Sequence, residues 1–198
     1  MVDWSRRSGL ASWRVTHKMG GRYMIDLPIV RQTFDFDCGA KALQTVMEYY
    51  GVEMREDELM KELGTDKDGT SVDNMVSVAE EKGFKVYAAT GVSLEQLKRF
   101  IDEGCPVIVL VQAWAERYMT LEDWKADYDD GHYVVVIGHS GNIIVFEDPS
   151  SFRRTWLTEG EFLARWHDVD AKTDEKLEHF AMVLMGRDPV RKAVEHMD

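Results

Sequence analysis

The chain has 198 residues, of which 44% are apolar and 11% aromatic, enough to form one well-packed domain. Its net charge of −12 argues against nucleic acid and anionic membranes as partners. It is compatible with a basic peptide or protein partner, but a solvated surface is the simpler explanation. The sequence has only two cysteines, no apolar signal segment and no run long enough to cross a bilayer, so we expect a cytoplasmic protein with no membrane span.

Residues 1–24 differ from the rest of the chain, because they carry basic and Trp side chains without helical or strand periodicity. We interpret them as an N-terminal arm that is disordered, lies on the domain surface or docks on a second copy as a homo-oligomer contact. The sequence then predicts one domain over 25–187 and a charged tail over 188–198.

The first predicted helix follows Cys38. Asp37 is a suitable N-cap, Gly51 is a suitable stop, and one apolar face repeats at three- and four-residue steps: Ala40, Leu43, Val46, Met47 and Tyr50. Cys38 is therefore at the amino end of a helix, where unpaired amides and the helix dipole favour a thiolate. The alternative is that Cys38 is a small core residue of the first turn.

The middle of the chain alternates between predicted helices and strands. We predict helices at 55–63 and 72–82, a strand at 84–89, a helix opened by the Ser93–Gln96 capping box, and a buried strand at 106–111. The connection over 113–131 is long and rich in Trp, Tyr and acidic residues. It is either the wall of a substrate cleft or an acidic lid whose aromatic side chains enter the core.

A β-hairpin is predicted from 133–137 and 143–146, with a three-residue turn at His139–Gly141. With this turn, His132 pairs directly with Asp148, and Glu147 points to the opposite, outer face. A second capping box, Thr158–Glu161, opens a further helix, and 178–185 is the last strand.

A Cys at a helix start and a His–Asp pair on a hairpin are the groups needed for nucleophilic thiol catalysis. His132 would exchange a proton with Cys38, and Asp148 would orient the imidazole. Acyl transfer also needs donors for the developing oxyanion, and the Cys38 amide and the Gln32 side chain are the candidates.

Three segments, Gln32-x5-Cys38-Gly39-Ala40, Gly131-His132-Tyr133-Val134-Val135 and Asp148-Pro149, resemble the bacterial double-glycine (bacteriocin-processing) cysteine peptidases. The resemblance implies an α+β, papain-like fold in which the nucleophile helix packs on an antiparallel sheet. It implies Cys38 as nucleophile, His132 as general base, Asp148 as the residue that orients His132, and Gln32 in the oxyanion hole.

We therefore expect a stand-alone cysteine peptidase that cleaves a peptide or related amide bond through a Cys38 acyl-thioester. The alternatives are a thiol acyltransferase or small-amide hydrolase with the same triad, and a non-catalytic peptide-binding module. No residue cluster has the spacing of a zinc site and no phosphate loop is intact, so we expect neither a metal nor a cofactor.

Overall fold

The computed structural model describes residues 24–115, 117–170 and 172–190. Its helices are α1 (Cys38–Tyr49), α2 (Glu56–Leu63), α3 (Val72–Glu81), α4 (Leu94–Asp102), α5 (Leu121–Ala126) and α6 (Glu159–Arg165). Its strands are β1 (Lys85–Ala89), β2 (Val107–Gln112), β3 (Gly131–Ser140), β4 (Ile143–Glu147), β5 (Thr155–Thr158) and β6 (Ala181–Met185). The predicted arm, except for Met24, and residues 191–198 of the predicted tail lie outside the described residues, so the domain boundaries stay predictions.

The strands form one sheet in the order β1-β6-β2-β3-β4-β5, and every neighbouring pair is antiparallel. All residues of β2 are buried, as the apolar run over 106–111 predicts, and the polar Gln112 at its end is buried as well. The predicted α+β fold, with the nucleophile helix packed on an antiparallel sheet, is confirmed. No helix within the described ranges is both long and apolar enough to cross a membrane.

The helix α1 packs across β3 and also contacts α2 and α3. All of its residues except Cys38 and Glu48 are buried, so the single apolar face predicted from the sequence is too narrow. The polar residues on its other faces are paired: Lys41 Nζ lies 2.7 Å from Glu56 Oε2, and Gln44 Nε2 donates to the Met54 carbonyl. The enclosed helix is a rigid support for the thiol at its amino end.

Two short elements were missed by the sequence analysis, the helix α5 and the edge strand β5. The helix α5 lies inside the long acidic connection and is opened by a Thr120–Asp123 capping box. Trp124, on α5, is buried under Arg165, whereas Tyr118 just before it is almost fully exposed. One aromatic side chain of this connection is therefore buried and another faces solvent, while its role as the wall of a substrate cleft stays a prediction.

Candidate active site

The predicted nucleophile begins α1, and its thiol is half-buried. Gly39 lets this first turn approach β3 closely, because a Cβ there would lie 3.0 Å from the Tyr133 ring and from the Thr70 side chain. The first amides of a helix have no partner within the helix. Cys38 therefore lies at a helix end that favours negative charge, next to the strand that carries His132.

The His132 side chain is buried against Asp148. Its Nε2 lies 2.9 Å from Asp148 Oδ1, and the imidazole is also in hydrogen-bonding contact with Cys38. The same Asp148 oxygen accepts hydrogen bonds from the Ser150 amide and hydroxyl at 3.0 and 2.8 Å. These donors hold Asp148 as an acceptor for the imidazole, and they leave Nδ1 of His132 to exchange a proton with the thiol.

His132 and Asp148 each stabilise the charged form of the other. Burial alone would lower the pKa of His132, but hydrogen bonds to Asp148 and Cys38 outweigh it and raise this pKa to about 9. Burial would raise the pKa of Asp148, but the hydrogen bond and charge of His132 outweigh it and lower this pKa. An imidazolium at neutral pH is the partner that a reactive thiolate requires.

The strand pairing that brings His132 to Asp148 differs from the predicted one. The turn has two residues, since Ser140 pairs with Ile143, and a β-bulge at Ile137 separates the Val136–Phe146 and Gly138–Val145 pairs. The last pair is Val135–Glu147, which places Val134, rather than His132, opposite Asp148. The predicted direct pairing is wrong, and the contact is made diagonally from two residues away.

The bulge at Ile137 determines which face His132 occupies. Without it, continuing the Ser140–Ile143 register would place Val135 opposite Asp148 and turn His132 to the other face of the sheet. The extra residue shifts the register by one and returns His132 to the face of Asp148. The Ile137 carbonyl accepts a hydrogen bond from the Ile25 amide at 2.8 Å, so the start of the domain stabilises the bulge.

Gln32 lies in the segment that leads to Cys38. Its backbone amide donates to the Pro149 carbonyl at 2.9 Å, which ties this segment to the residues after Asp148. Its side-chain Nε2 donates to the Phe34 carbonyl at 3.0 Å. The structure therefore brings Cys38, His132 and Asp148 together, while the Gln32 amide is turned toward its own loop.

Trp114 is a site residue whose position was not predicted. Its ring packs edge-on against His132, with centroids 5.7 Å apart, yet more than half of the side chain is exposed. Its backbone has φ 66°, a left-handed conformation that is uncommon for a bulky residue. The sequence marked Trp114 only as one aromatic residue of the acidic connection.

Glu147 corrects a second expectation from the sequence. It was expected to point outward into solvent, but it is 2% exposed and binds two guanidinium groups. Arg31 Nη1 lies 2.6 Å from its Oε1, and Arg154 Nε lies 3.4 Å from its Oε2. Because Arg31 directly precedes Gln32, this ion pair anchors the Gln32 segment to β4, next to Asp148.

Replacing Glu147 with glutamine is expected to lower the free energy of unfolding by about 1.5–3 kcal/mol, because Arg31 loses its buried counter-charge and Arg154 keeps only its pair with Asp26. Urea denaturation measures this loss. The matched control is Asp57→Asn, which breaks the fully exposed Arg55–Asp57 pair and should leave stability unchanged. A Glu147→Gln protein as stable as the control would contradict the anchoring role.

Comparisons with known proteins identify the family of this chain. A model of the peptidase C39 family matches residues 26–176, a range that includes Gln32, Cys38, His132 and Asp148. An uncharacterized protein of Methanothermobacter marburgensis is 38% identical over 137 residues, covering 66% of this chain and 78% of that protein. The lactococcin-A transport/processing ATP-binding protein LcnC of Lactococcus lactis is 30% identical over 140 residues, covering 70% of this chain and 17% of that protein.

A solved structure gives the same result for the fold. The peptidase domain of Streptococcus ComA, a bi-functional ABC transporter involved in quorum sensing, superposes with a TM-score of 0.58 at 25% identity. The match covers 81% of this chain and 97% of that domain. The match therefore supports the α+β fold described above.

Proposed function

Because this chain belongs to the peptidase C39 family and is a cysteine peptidase, we propose that it cleaves a peptide bond through a thioester formed on Cys38. One observation carries the proposal: the buried His132 imidazole contacts both Asp148 and Cys38. These three side chains supply a nucleophile, a proton carrier and a group that orients the carrier.

The reaction starts from a thiolate–imidazolium pair. The Cys38 sulfur attacks the carbonyl carbon, and the tetrahedral intermediate collapses as His132 gives its proton to the departing amine. The C–N bond breaks and a thioester remains on Cys38. The neutral imidazole then takes a proton from water, whose oxygen attacks the thioester and releases a carboxylic acid.

The developing oxyanion needs hydrogen-bond donors, and we assign this role to the Cys38 amide and the Gln32 side chain. Gln32 Nε2 carries two hydrogens, one of which is engaged by the Phe34 carbonyl. The second hydrogen serves the oxyanion directly or after the side chain rotates. Gln32→Ala should therefore lower kcat while leaving the reactivity of the Cys38 thiol intact.

The proposal is tested with the full chain and a panel of peptides, some of which carry a Gly-Gly pair before the bond. We include this pair because the sequence resembles the double-glycine peptidases and a relative is named for lactococcin-A processing. Mass spectrometry should show two product peptides and, after an acid quench, an acyl group on Cys38, both absent from Cys38→Ala. Hydrolysis that persists in Cys38→Ala would overturn the proposed mechanism.

The charge around the cleft predicts a preference for basic substrates. The acidic connection begins beside Trp114, which packs against His132, and ends directly before His132, so its acidic residues, Asp127 and Asp129 among them, are near the site along the chain. Peptides with lysines near the scissile bond should be cleaved on the order of tenfold faster than glutamate-bearing peptides at low salt. Measuring kcat/KM at rising salt should show this ratio shrink through screening, and equal rates at low salt would contradict it.

The same triad also serves a thiol acyltransferase or a small-amide hydrolase, which differ in the group that resolves the thioester. Product analysis with added amine acceptors separates these activities. Acyl transfer to the amine in preference to water would favour the transferase, and ammonia release from small amides without peptide cleavage would favour the amide hydrolase.

A further inference from the structure

Two carboxyl groups meet directly before the predicted nucleophile. Asp37, the residue before Cys38, is fully buried, and Glu56 is the first residue of α2. Asp37 occupies the N-cap position of α1, yet its side chain does not cap the helix. It turns back instead, and its Oδ2 accepts the Thr33 amide at 2.9 Å. Asp37 is therefore the N-cap residue predicted from the sequence, but its side chain does not supply the capping hydrogen bond.

Glu56 completes this cluster from the α2 side. Its Oε2 accepts the Thr33 hydroxyl at 3.1 Å and lies 2.7 Å from the ammonium group of Lys41. The Lys41 side chain is 5% exposed, so this cation is almost entirely enclosed. Thr33 therefore bonds to Asp37 through its amide and to Glu56 through its hydroxyl.

The second oxygen of each carboxyl group indicates that the two groups share a proton. Asp37 Oδ1 and Glu56 Oε1 are both buried, and neither has a hydrogen-bond partner within the described part of the chain. The two carboxyl groups are neighbours, because both bond to Thr33 and each changes the pKa of the other. Two ionised carboxylates in contact would repel each other and leave two buried acceptors unsatisfied. One proton between them removes both penalties.

We propose that Asp37 is a neutral acid whose proton is donated to Glu56, and that this shared proton holds the Thr33–Asp37 segment in position before the nucleophile. With one proton the pair carries a single negative charge, which the ammonium group of Lys41 balances. With both groups ionised, the cluster would hold one negative charge that Lys41 does not balance, next to Cys38.

The electrostatic environment favours Asp37 as the protonated partner. Burial raises the pKa of Asp37 and outweighs the hydrogen bonds from the Thr33 and Phe34 amides. For Glu56, the hydrogen bonds and charge of Lys41, together with Thr33, outweigh burial and lower the pKa. The charged and titratable groups around Asp37 are Glu56 from α2, Lys41 from α1 and the adjacent thiol.

The consequence for catalysis rests on the proposed role of Cys38, although the proton itself does not. A carboxylate next to the thiol would oppose its ionisation, whereas a neutral acid does not. The hydrogen bonds at Thr33 also fix the residue that follows Gln32. Asp37 is in this sense a positioning residue, which acts through Thr33 and through the first turn of α1.

The protonation state is measured by carboxyl ¹³C NMR of the unmodified chain, with Asp37→Asn used to assign the signal. We expect the Asp37 carboxyl to keep the chemical shift of a protonated acid at neutral pH. A carboxylate shift for Asp37 at neutral pH would overturn the proposal. This readout is independent of peptide cleavage, so it stands or falls separately from the proposed function.

The second measurement is the stability of the Asp37→Asn variant at low and at high pH. Asparagine copies the neutral acid, because its NH2 donates to Glu56 and its carbonyl accepts from Thr33. A group with a raised pKa in the folded state loses its contribution to stability as the pH rises through that pKa. Asp37→Asn should therefore match the original chain at low pH and exceed its stability at high pH.

The rate of peptide cleavage should depend on the same hydrogen bonds. Asp37→Ala is expected to lose on the order of tenfold in kcat, because it removes the hydrogen bonds to Thr33 and Glu56, and Asp37→Asn should restore most of this loss. Asp35→Asn, an exposed change in the same segment, is the matched control. An asparagine variant as impaired and as unstable as the alanine variant would show that Asp37 acts as a carboxylate and contradict the proposal.

Discussion

Replacing His132 with alanine is expected to slow alkylation of Cys38 at pH 6 on the order of a hundredfold, because an unpaired thiol with a pKa of about 8.5 is mostly protonated there. Peptide cleavage should fall much further, on the order of 10⁴–10⁶ in kcat, as it does when a member of a catalytic triad is removed. The measurement is the iodoacetamide reaction rate against pH in a Cys105→Ala background. Burial raises the pKa of Cys105, so this thiol is a slow competitor even before its removal.

The double variant Cys38→Ala/His132→Ala is the control for the expected effect of His132→Ala. Groups that act as a unit lose nearly all activity when either is removed, so Cys38→Ala/His132→Ala should be no less active than Cys38→Ala alone. His139→Ala is a matched histidine control, because His139 pairs with Asp102 near the turn, at the opposite end of β3 from His132. Fast alkylation at pH 6 that survives His132→Ala would show that the helix end alone activates the thiol.

The sequence was informative wherever a local rule determines the structure. Four features that depend only on neighbouring residues occur as predicted. They are the start of α1, the Ser93–Gln96 and Thr158–Glu161 capping boxes, and the buried strand β2. The helix α5 and the strand β5 were missed because they are short. Their six and four residues are too few for a periodic pattern to be distinct.

The hairpin explains why His132 and Asp148 are in contact although the predicted strand register was wrong. The assumed three-residue turn and the absence of a bulge were both wrong, but together they displaced the register by an even number of residues. Side chains alternate with a period of two, so an even error keeps His132 on the face of Asp148. An odd error would have separated them, and the sequence contains no clear signal for the bulge at Ile137.

Glu147 and Asp37 could not be predicted for a different reason. Strand alternation identified the face of Glu147, but its burial depends on Arg31 and Arg154, which come from distant parts of the chain. Likewise, the Asp37 side chain is turned away from its helix by Thr33 and Glu56. Such partners are brought together by the tertiary structure, which local sequence patterns do not encode.

Replacing Asp148 with asparagine is expected to reduce kcat on the order of 10²–10⁴, with a smaller change in KM. Asparagine keeps the shape of the side chain and can still accept from Ser150, but it removes the charge that stabilises the His132 imidazolium. The pKa of His132, about 9 in the intact site, should fall in this variant. Titration of the His132 ring by NMR measures that change directly.

The same substitution should change how stability depends on pH, and the sign follows from the two pKa shifts. Asp148 has a lowered pKa, so it stabilises the fold above its unfolded-state pKa of about 3.9 and loses this effect as the pH falls. His132 has a raised pKa, so it stabilises the fold below about 6.5 and loses this effect as the pH rises toward about 9. The stability lost in Asp148→Asn should therefore be largest between roughly pH 4 and 6.5 and should shrink on both sides. A loss that is constant across this range would mean that Asp148 holds His132 by shape and hydrogen bonding alone, without an ion pair.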